Sequence, residues 1–127
     1  MTEPPTRLDP IVEGLRLFNE RHFFEAHEVL EDVWHRERGE PRLFLQGLIQ
    51  VCAGFHHFQS GNARGAAELL QRGSDKMRKY PEQYLGIDSA GLLARVDACR
   101  QRIERIRDGV EPNAPIDFPT VQLPEPT

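Results

Sequence analysis

The sequence predicts an all-α fold, a compact bundle of about five helices in a single domain. Three observations predict it. Apolar residues recur at spacings of three and four through most of the chain. No stretch alternates with period two for long enough to be a strand. Glycine, proline, aspartate and asparagine stand where such helices would stop and start, leaving short connections that favour antiparallel neighbours.

The elements follow in order. Residues 1–8 read as a loose arm with Pro4 and Pro5. Asp9 is placed to cap a first helix and Pro10 to open it, where a missing N–H costs nothing. Ile11, Leu15 and Phe18 then give it one apolar face to about Asn19. A second helix spans about 22–38 and stops at Gly39. Pro41 starts a third, ending near Ser60–Gly61, whose apolar residues cover most of its circumference and so make it the buried centre. Asn62 caps a fourth helix with Ala66, Leu70, Gly73, Met77 and Tyr80 inside, ended by Pro81. After a loop containing Gly86, Asp88 caps a fifth, with Leu92, Val96, Cys99, Ile103 and Ile106 inside and Gly109 as its stop. Residues 9–109 are thus the helical domain. Residues 110–127 carry five prolines and form an extended tail that Ile116, Phe118 and Val121 tack onto the body.

Composition bounds the function. The length of 127 residues fits one domain, long enough to bury roughly two-thirds of its unfolded surface without staples. The net charge of −4 argues against nucleic acid and anionic membranes as partners. Cys52 and Cys99 match no zinc spacing and read as buried free thiols. The first residues lack a signal-peptide pattern and no apolar run reaches the length of a membrane span, so the expected location is the cytoplasm.

The chemistry concentrates on the second helix. On a helical wheel, Trp34, Phe23 and Leu30 fall to one side of His27, and Glu31 and Phe24 to the other, all within roughly 60° of it. His27 and Glu31 therefore lie inside the arc marked as core by aromatic and aliphatic neighbours. A core-facing carboxylate must be paired, hydrogen-bonded or metal-bound. The pair, one turn apart, has three outcomes: a buried His–Glu hydrogen bond, a wider polar network, or two ligands to a divalent metal ion. Two ligands make half a site, so a metal would need Gln50, His57, Glu68 or solvent as well. His27-Glu28-Val29-Leu30-Glu31 is not the zinc-protease helix, which needs histidine where Glu31 stands. Trp34 reads as a core anchor.

On the third helix Gln46, Gln50 and His57 share a stripe with Gly47, Ala53 and Gly54. Small residues admit another backbone, a ligand or water. The stripe is expected to face His27 and Glu31 across a helix contact. His22 and His35 read as surface residues, and His56 as serving another neighbourhood. Gln46 and Gln50 are expected to bond neighbouring side chains. The fifth-helix arginines Arg95, Arg100, Arg102, Arg105 and Arg107 alternate with acids and read as a solvated, salt-bridged face.

His27, Glu31 and Trp34 form H-x-x-x-E-x-x-W within FNERHFFEAHEVLEDVWHRERGEPRLFLQGLIQ, and FHHFQSGNARGAAELL follows. On these residues the chain resembles the bacterial and archaeal "domain of unknown function 309" family over roughly residues 15–110. The resemblance implies an all-helical fold and a motif suspected of metal binding, and brings no established activity.

The leading functional expectation is a small helical domain whose His27/Glu31 centre is structural, with a divalent metal as its one candidate cofactor. A metal-dependent hydrolase using the same pair is the alternative from the enzyme class. The third reading is an interaction module using the fifth helix or the tail, with a protein partner or a second copy, in which deleting residues 110–127 spares folding.

Overall fold

The computed structural model describes residues 8–124. The elements are α1 (Leu8–Asn19), α2 (Phe23–Arg36), α3 (Arg42–Gln59), α4 (Ala63–Met77), β1 (Gln83–Tyr84), β2 (Ile87–Asp88) and α5 (Ser89–Arg107). The all-α fold class holds. Extensive helix packing runs between chain neighbours, α1 on α2, α2 on α3, α3 on α4 and α4 on α5. No helix among the described residues is long and apolar enough to cross a membrane.

Helix ends follow local chemistry. Helix α1 reaches back to Leu8, so Asp9 lies inside it instead of capping it. Pro10 still sits in the first turn, where N–H groups have no intrahelical acceptor. Of the expected arm at 1–8, only Leu8 is among the described residues, and it is helical. Asn62 and Asp88 cap α4 and α5 as expected, accepting from the N–H of Gly65 at 2.9 Å and Gly91 at 3.0 Å.

Three helices end in the same double hydrogen bond, with a left-handed residue closing the last turn. At α3, Gly61 N donates to Phe58 O and Asn62 N to His57 O. At α5, Gly109 N donates to Ile106 O and Val110 N to Arg105 O. At α1 the left-handed position, with φ 67°, is Arg21, which no glycine marks in the sequence.

The fourth helix ends at Met77, short of Pro81. Between it and α5 lies an antiparallel hairpin pairing Gln83 with Asp88 and Tyr84 with Ile87. This corrects the expectation of a plain loop. Two residues per strand are too few to display an alternation. The turn residues Leu85 and Gly86 both have positive φ (54° and 75°), as a two-residue type I′ hairpin requires.

Helix α3 is the centre: Phe44, Leu45, Leu48, Val51, Cys52 and Phe55 are all fully buried. Its tightest neighbour is α4. A Cβ on Gly73 would lie 2.5 Å from the Gly47 carbonyl oxygen, and one on Gly47 would lie 2.7 Å from the Gly73 carbonyl oxygen. The two backbones touch there, and only glycine on both sides permits it. Two helical turns further along, a Cβ on Gly54 would meet Leu70 at 2.9 Å. The small-residue stripe of α3 thus serves helix packing, the first of the uses open to it.

The tail is part of the core. Ile116 and Val121 are 6% and 4% exposed, and Phe118 packs among aromatic rings of α2 and α3. The expectation that residues 110–127 can be deleted without cost to folding is therefore corrected.

Gly73→Ala is expected to lower stability by roughly 2 kcal/mol in urea denaturation, because overpacking outweighs the better helix propensity of alanine. Gly61→Ala, at φ 85° with open space around it, is expected to cost about 1 kcal/mol through backbone strain alone. Equal effects at the two positions would contradict the backbone contact.

Candidate functional site

The core face of α2 is made by Phe23, Ala26, Leu30 and Val33, all buried. Its centre lies about 80° from His27 on the helical wheel. His27 is therefore at the rim and Glu31 beyond it, with side chains 28% and 40% exposed. The expectation of a core-facing pair is corrected, and Phe24 is the reason: at 47% exposed it belongs to the outer face. An arc drawn through Phe24 as core extends towards Glu31.

His27 and Glu31 do meet, with Nε2 3.1 Å from Oε2. The other carboxylate oxygen of Glu31 lies 3.4 Å from His35 Nε2. One carboxylate is thus held between two imidazoles, one turn before and one turn after it. Phe24 stacks near-parallel on His27 (interplanar angle 15°) and approaches His56 of α3 at 5.3 Å between ring centroids. Phe24, His27, Glu31 and His35, with Glu28 and Asp32, line a depression on the outer surface of α2. His27 Nδ1, on the inner side of its ring, is buried and bonds no protein group.

Trp34 turns inward from the same helix and packs, half-buried, against the core. The Arg42 guanidinium lies over its ring, 4.0 Å from the centroid. Arg42 Nη1 also donates to the Trp34 carbonyl at 2.6 Å and to the Glu37 carbonyl at 2.8 Å. A cation at a helix C-terminus satisfies carbonyls that lack an intrahelical donor and complements the helix dipole. Arg42 therefore caps α2 from the first turn of α3 and fixes the corner between them. Tyr80 braces that corner by donating from its hydroxyl to the Glu40 carbonyl at 2.7 Å.

The polar stripe of α3 does not face His27 and Glu31, which corrects the expected pairing. Gln50 accepts from Lys76 Nζ of α4 at 2.9 Å. His57 Nδ1 is 3.1 Å from Asn62 Nδ2, at the turn into α4. The amide is the donor, so Nδ1 accepts and is already occupied. Gln46 is half-buried on the same helix. Glu68, the other named candidate for a ligand, pairs with Arg72 along α4 at 2.6 Å. The physical reason is the glycine contact, which turns this face of α3 onto α4. Among the described residues no group of three or more His, Cys, Asp or Glu side chains is arranged to hold a metal ion.

Three participants escaped the sequence. His35 had a signal, since it follows Glu31 at the spacing by which His27 precedes it. His56 and Arg42 had none, because their roles arise only when α3 docks on α2.

The fifth-helix arginines are salt-bridged as expected. Arg100 bonds Glu104 at 2.5 Å, Arg102 and Arg105 reach Glu111, and Arg107 pairs with Asp108, holding that carboxyl below its usual range. Arg95 instead donates to the Thr120 carbonyl. Both cysteines are free, and burial pushes the Cys52 thiol up to about 12.

Arg42→Met is expected to cost about 1–3 kcal/mol, having lost two charge-assisted hydrogen bonds and a cation–π contact. Trp34 is the single tryptophan, so its emission would shift red as the α2 corner loosens. Unchanged emission and stability would refute the clamp. A second outcome concerns pH. The unfolded Cys52 thiol ionises near 9.0, whereas the folded one stays protonated to about 12. The unfolded state then binds fewer protons, so stability falls as pH rises from about 9 towards 12. Urea titrations at pH 8 and 10.5 should show a smaller loss in Cys52→Ala than in the natural chain.

Comparison with known proteins finds a family model that matches part of the chain. The model described as "Domain of unknown function (DUF309)" matches residues 11–69, from α1 into α4. An uncharacterized protein of Aquifex aeolicus (strain VF5) is 28% identical over 81 residues, covering 63% of this chain and 24% of that protein. The uncharacterized protein YpuF of Bacillus subtilis (strain 168) is 27% identical over 92 residues, covering 68% of this chain and 51% of that protein. The chain spans about a quarter of the first relative's length and half of the second's. His27, Glu31, Trp34 and Arg42 all fall inside the matched segment.

Proposed function

Taking residues 11–69 as a segment of the domain of unknown function 309 family, whose description carries no activity, we propose that the chain is a non-catalytic helical interaction domain. In this reading the H-x-x-x-E-x-x-W motif is structural. The observation that carries it is what surrounds the Glu31 carboxylate and the Trp34 carbonyl and ring, while His27 Nδ1 and Trp34 Nε1 are buried with no hydrogen-bond partner among the described residues. Each Glu31 oxygen lies within 3.4 Å of an imidazole nitrogen of its own helix, and the Trp34 carbonyl and ring are taken by Arg42. A hydrolytic centre needs a recess that excludes water and leaves a reactive group free to reach substrate. The α2 depression is instead bordered by the exposed Phe24, Glu28, Asp32 and His35.

The motif then has two structural tasks. The His27–Glu31–His35 ladder supports the outer face of α2, at the modest worth of partly exposed i,i+4 pairs. Trp34 and Arg42 set the angle at which α3 leaves α2. The family segment becomes a rigid frame of packed helices that presents surfaces to other proteins.

Elemental analysis of tag-free protein, beside the His27→Ala/Glu31→Ala double variant, tests this directly. The expected result is no stoichiometric metal in either, with a melting temperature a few degrees lower in the variant, matching a loss of about 1 kcal/mol. A divalent metal near one per chain, lost in the variant, would overturn the reading in favour of a metal-dependent hydrolase.

A further inference from the structure

Residues 112–124 form no helix or strand and make no backbone–backbone hydrogen bond with the rest of the described chain. They nevertheless bury Ile116 and Val121 as deeply as the core. They run back along α5: Asp117 lies against Cys99, Thr120 against Arg95, and Pro124 against Gly86 beside β2. The seam they fill is walled by four helices, through Asn19 of α1, Phe23 of α2, Phe55 and Phe58 of α3, and Arg95 and Cys99 of α5.

The contacts are those of a bound peptide. Asn19 donates from Nδ2 to the Val121 carbonyl and accepts from the Val121 N–H at Oδ1, both at 2.8 Å. Arg95 donates to the Thr120 carbonyl at 2.9 Å, and Cys99 Sγ to the Asp117 carbonyl at 3.4 Å. All four bonds go to main-chain atoms, so they would form with any residues in those places, proline at position 121 excepted. Side-chain selection lies in three apolar seats, those of Ile116, Phe118 and Val121. Phe118 is the anchor, 5.1 Å from the Phe23 ring and 5.4 Å from the Phe55 ring, with the Arg21 guanidinium 5.8 Å above it. Backbone clamping plus spaced apolar pockets is how extended segments are recognised.

We propose that this seam is a recognition groove for an extended segment of a partner protein. The segment carries an apolar-x-aromatic-x-x-apolar pattern, and the chain's own residues 116–121 occupy the groove in cis. The inference rests on the interaction-domain reading above. The geometry between α5 and the groove supports it. Gly109, at φ 75°, ends α5, and Pro112 and Pro115 follow, so the tail can leave without unwinding a helix. Tethering gives the cis segment an effective concentration on the order of millimolar. A partner segment must therefore outbind it or meet a chain whose own anchor is weakened.

The second condition is the experiment. A fluorescent peptide of residues 113–124 is titrated into the full natural chain and into Phe118→Ala, with anisotropy as the readout. Binding to Phe118→Ala at least about ten-fold tighter than to the natural chain is expected. Adding Asn19→Ala should weaken it about ten-fold, and a peptide with serine at the 116, 118 and 121 positions should not bind. If Phe118→Ala loses its helical circular dichroism, Val121→Ala takes its place. Failure of the peptide to bind a folded variant, or equal binding of the serine peptide, overturns the proposal. So does a dimer in sedimentation that the peptide cannot dissociate, which would assign the groove to a second copy. None of these outcomes alters the metal content of the His27/Glu31 variant, so the two readings fail separately.

Discussion

Everything in this fold is arranged around one contact, the backbone of α3 against the backbone of α4 at Gly47 and Gly73. Because no side chain separates the helices there, α4 takes up one whole side of α3, and Leu70 and Met77 settle along it. The bulky side of α3 is left for α1 and α2, whose Phe18 and Phe23 close on Phe55. Helix α5 docks chiefly on α4, which sets it apart from α1. The tail runs between those two helices, bonded to Asn19 on one and Arg95 on the other.

That contact also decides what the polar residues can do. Had α3 turned its Gln50 and His57 towards α2, the His27–Glu31 pair would have gained two more polar partners and become a closed polar centre. Turned onto α4, Gln50 meets Lys76, and His57 meets the residue that caps the next helix. What remains on α2 is a single-helix ladder at the surface, with chemistry set by i,i+4 neighbours.

The parts legible in sequence are those governed by near neighbours in the chain. The caps at Asn62 and Asp88, the glycine stops at Gly61 and Gly109 and the core stripes of α4 and α5 are written within a turn or two of where they act. The apolar plugs of the tail are legible too, because Ile116, Phe118 and Val121 stand out in a polar, proline-rich setting. Arg21 in a left-handed turn, Leu85 in a hairpin and the facing of the α3 stripe were not legible. Each depends on a partner distant in sequence or on a backbone state the residue does not favour. The candidate site shows the same division. The His27–Glu31 contact follows from spacing, but its depth does not, because one aromatic residue, Phe24, stands outside where its type predicts inside.

The return of the tail orders the events by which the chain folds. Helix-to-helix contacts between chain neighbours close small loops and form quickly. The bonds between Asn19 and Val121 span 102 positions. They must wait until α1, α3 and α5 all stand in place, and during synthesis until residue 121 has been made. In that interval Phe23, Phe55 and Phe58 form an uncovered aromatic surface of the kind that draws chaperones and promotes aggregation. A helical stack that lacked its tail would thus be sticky, and docking of the tail would end that stickiness.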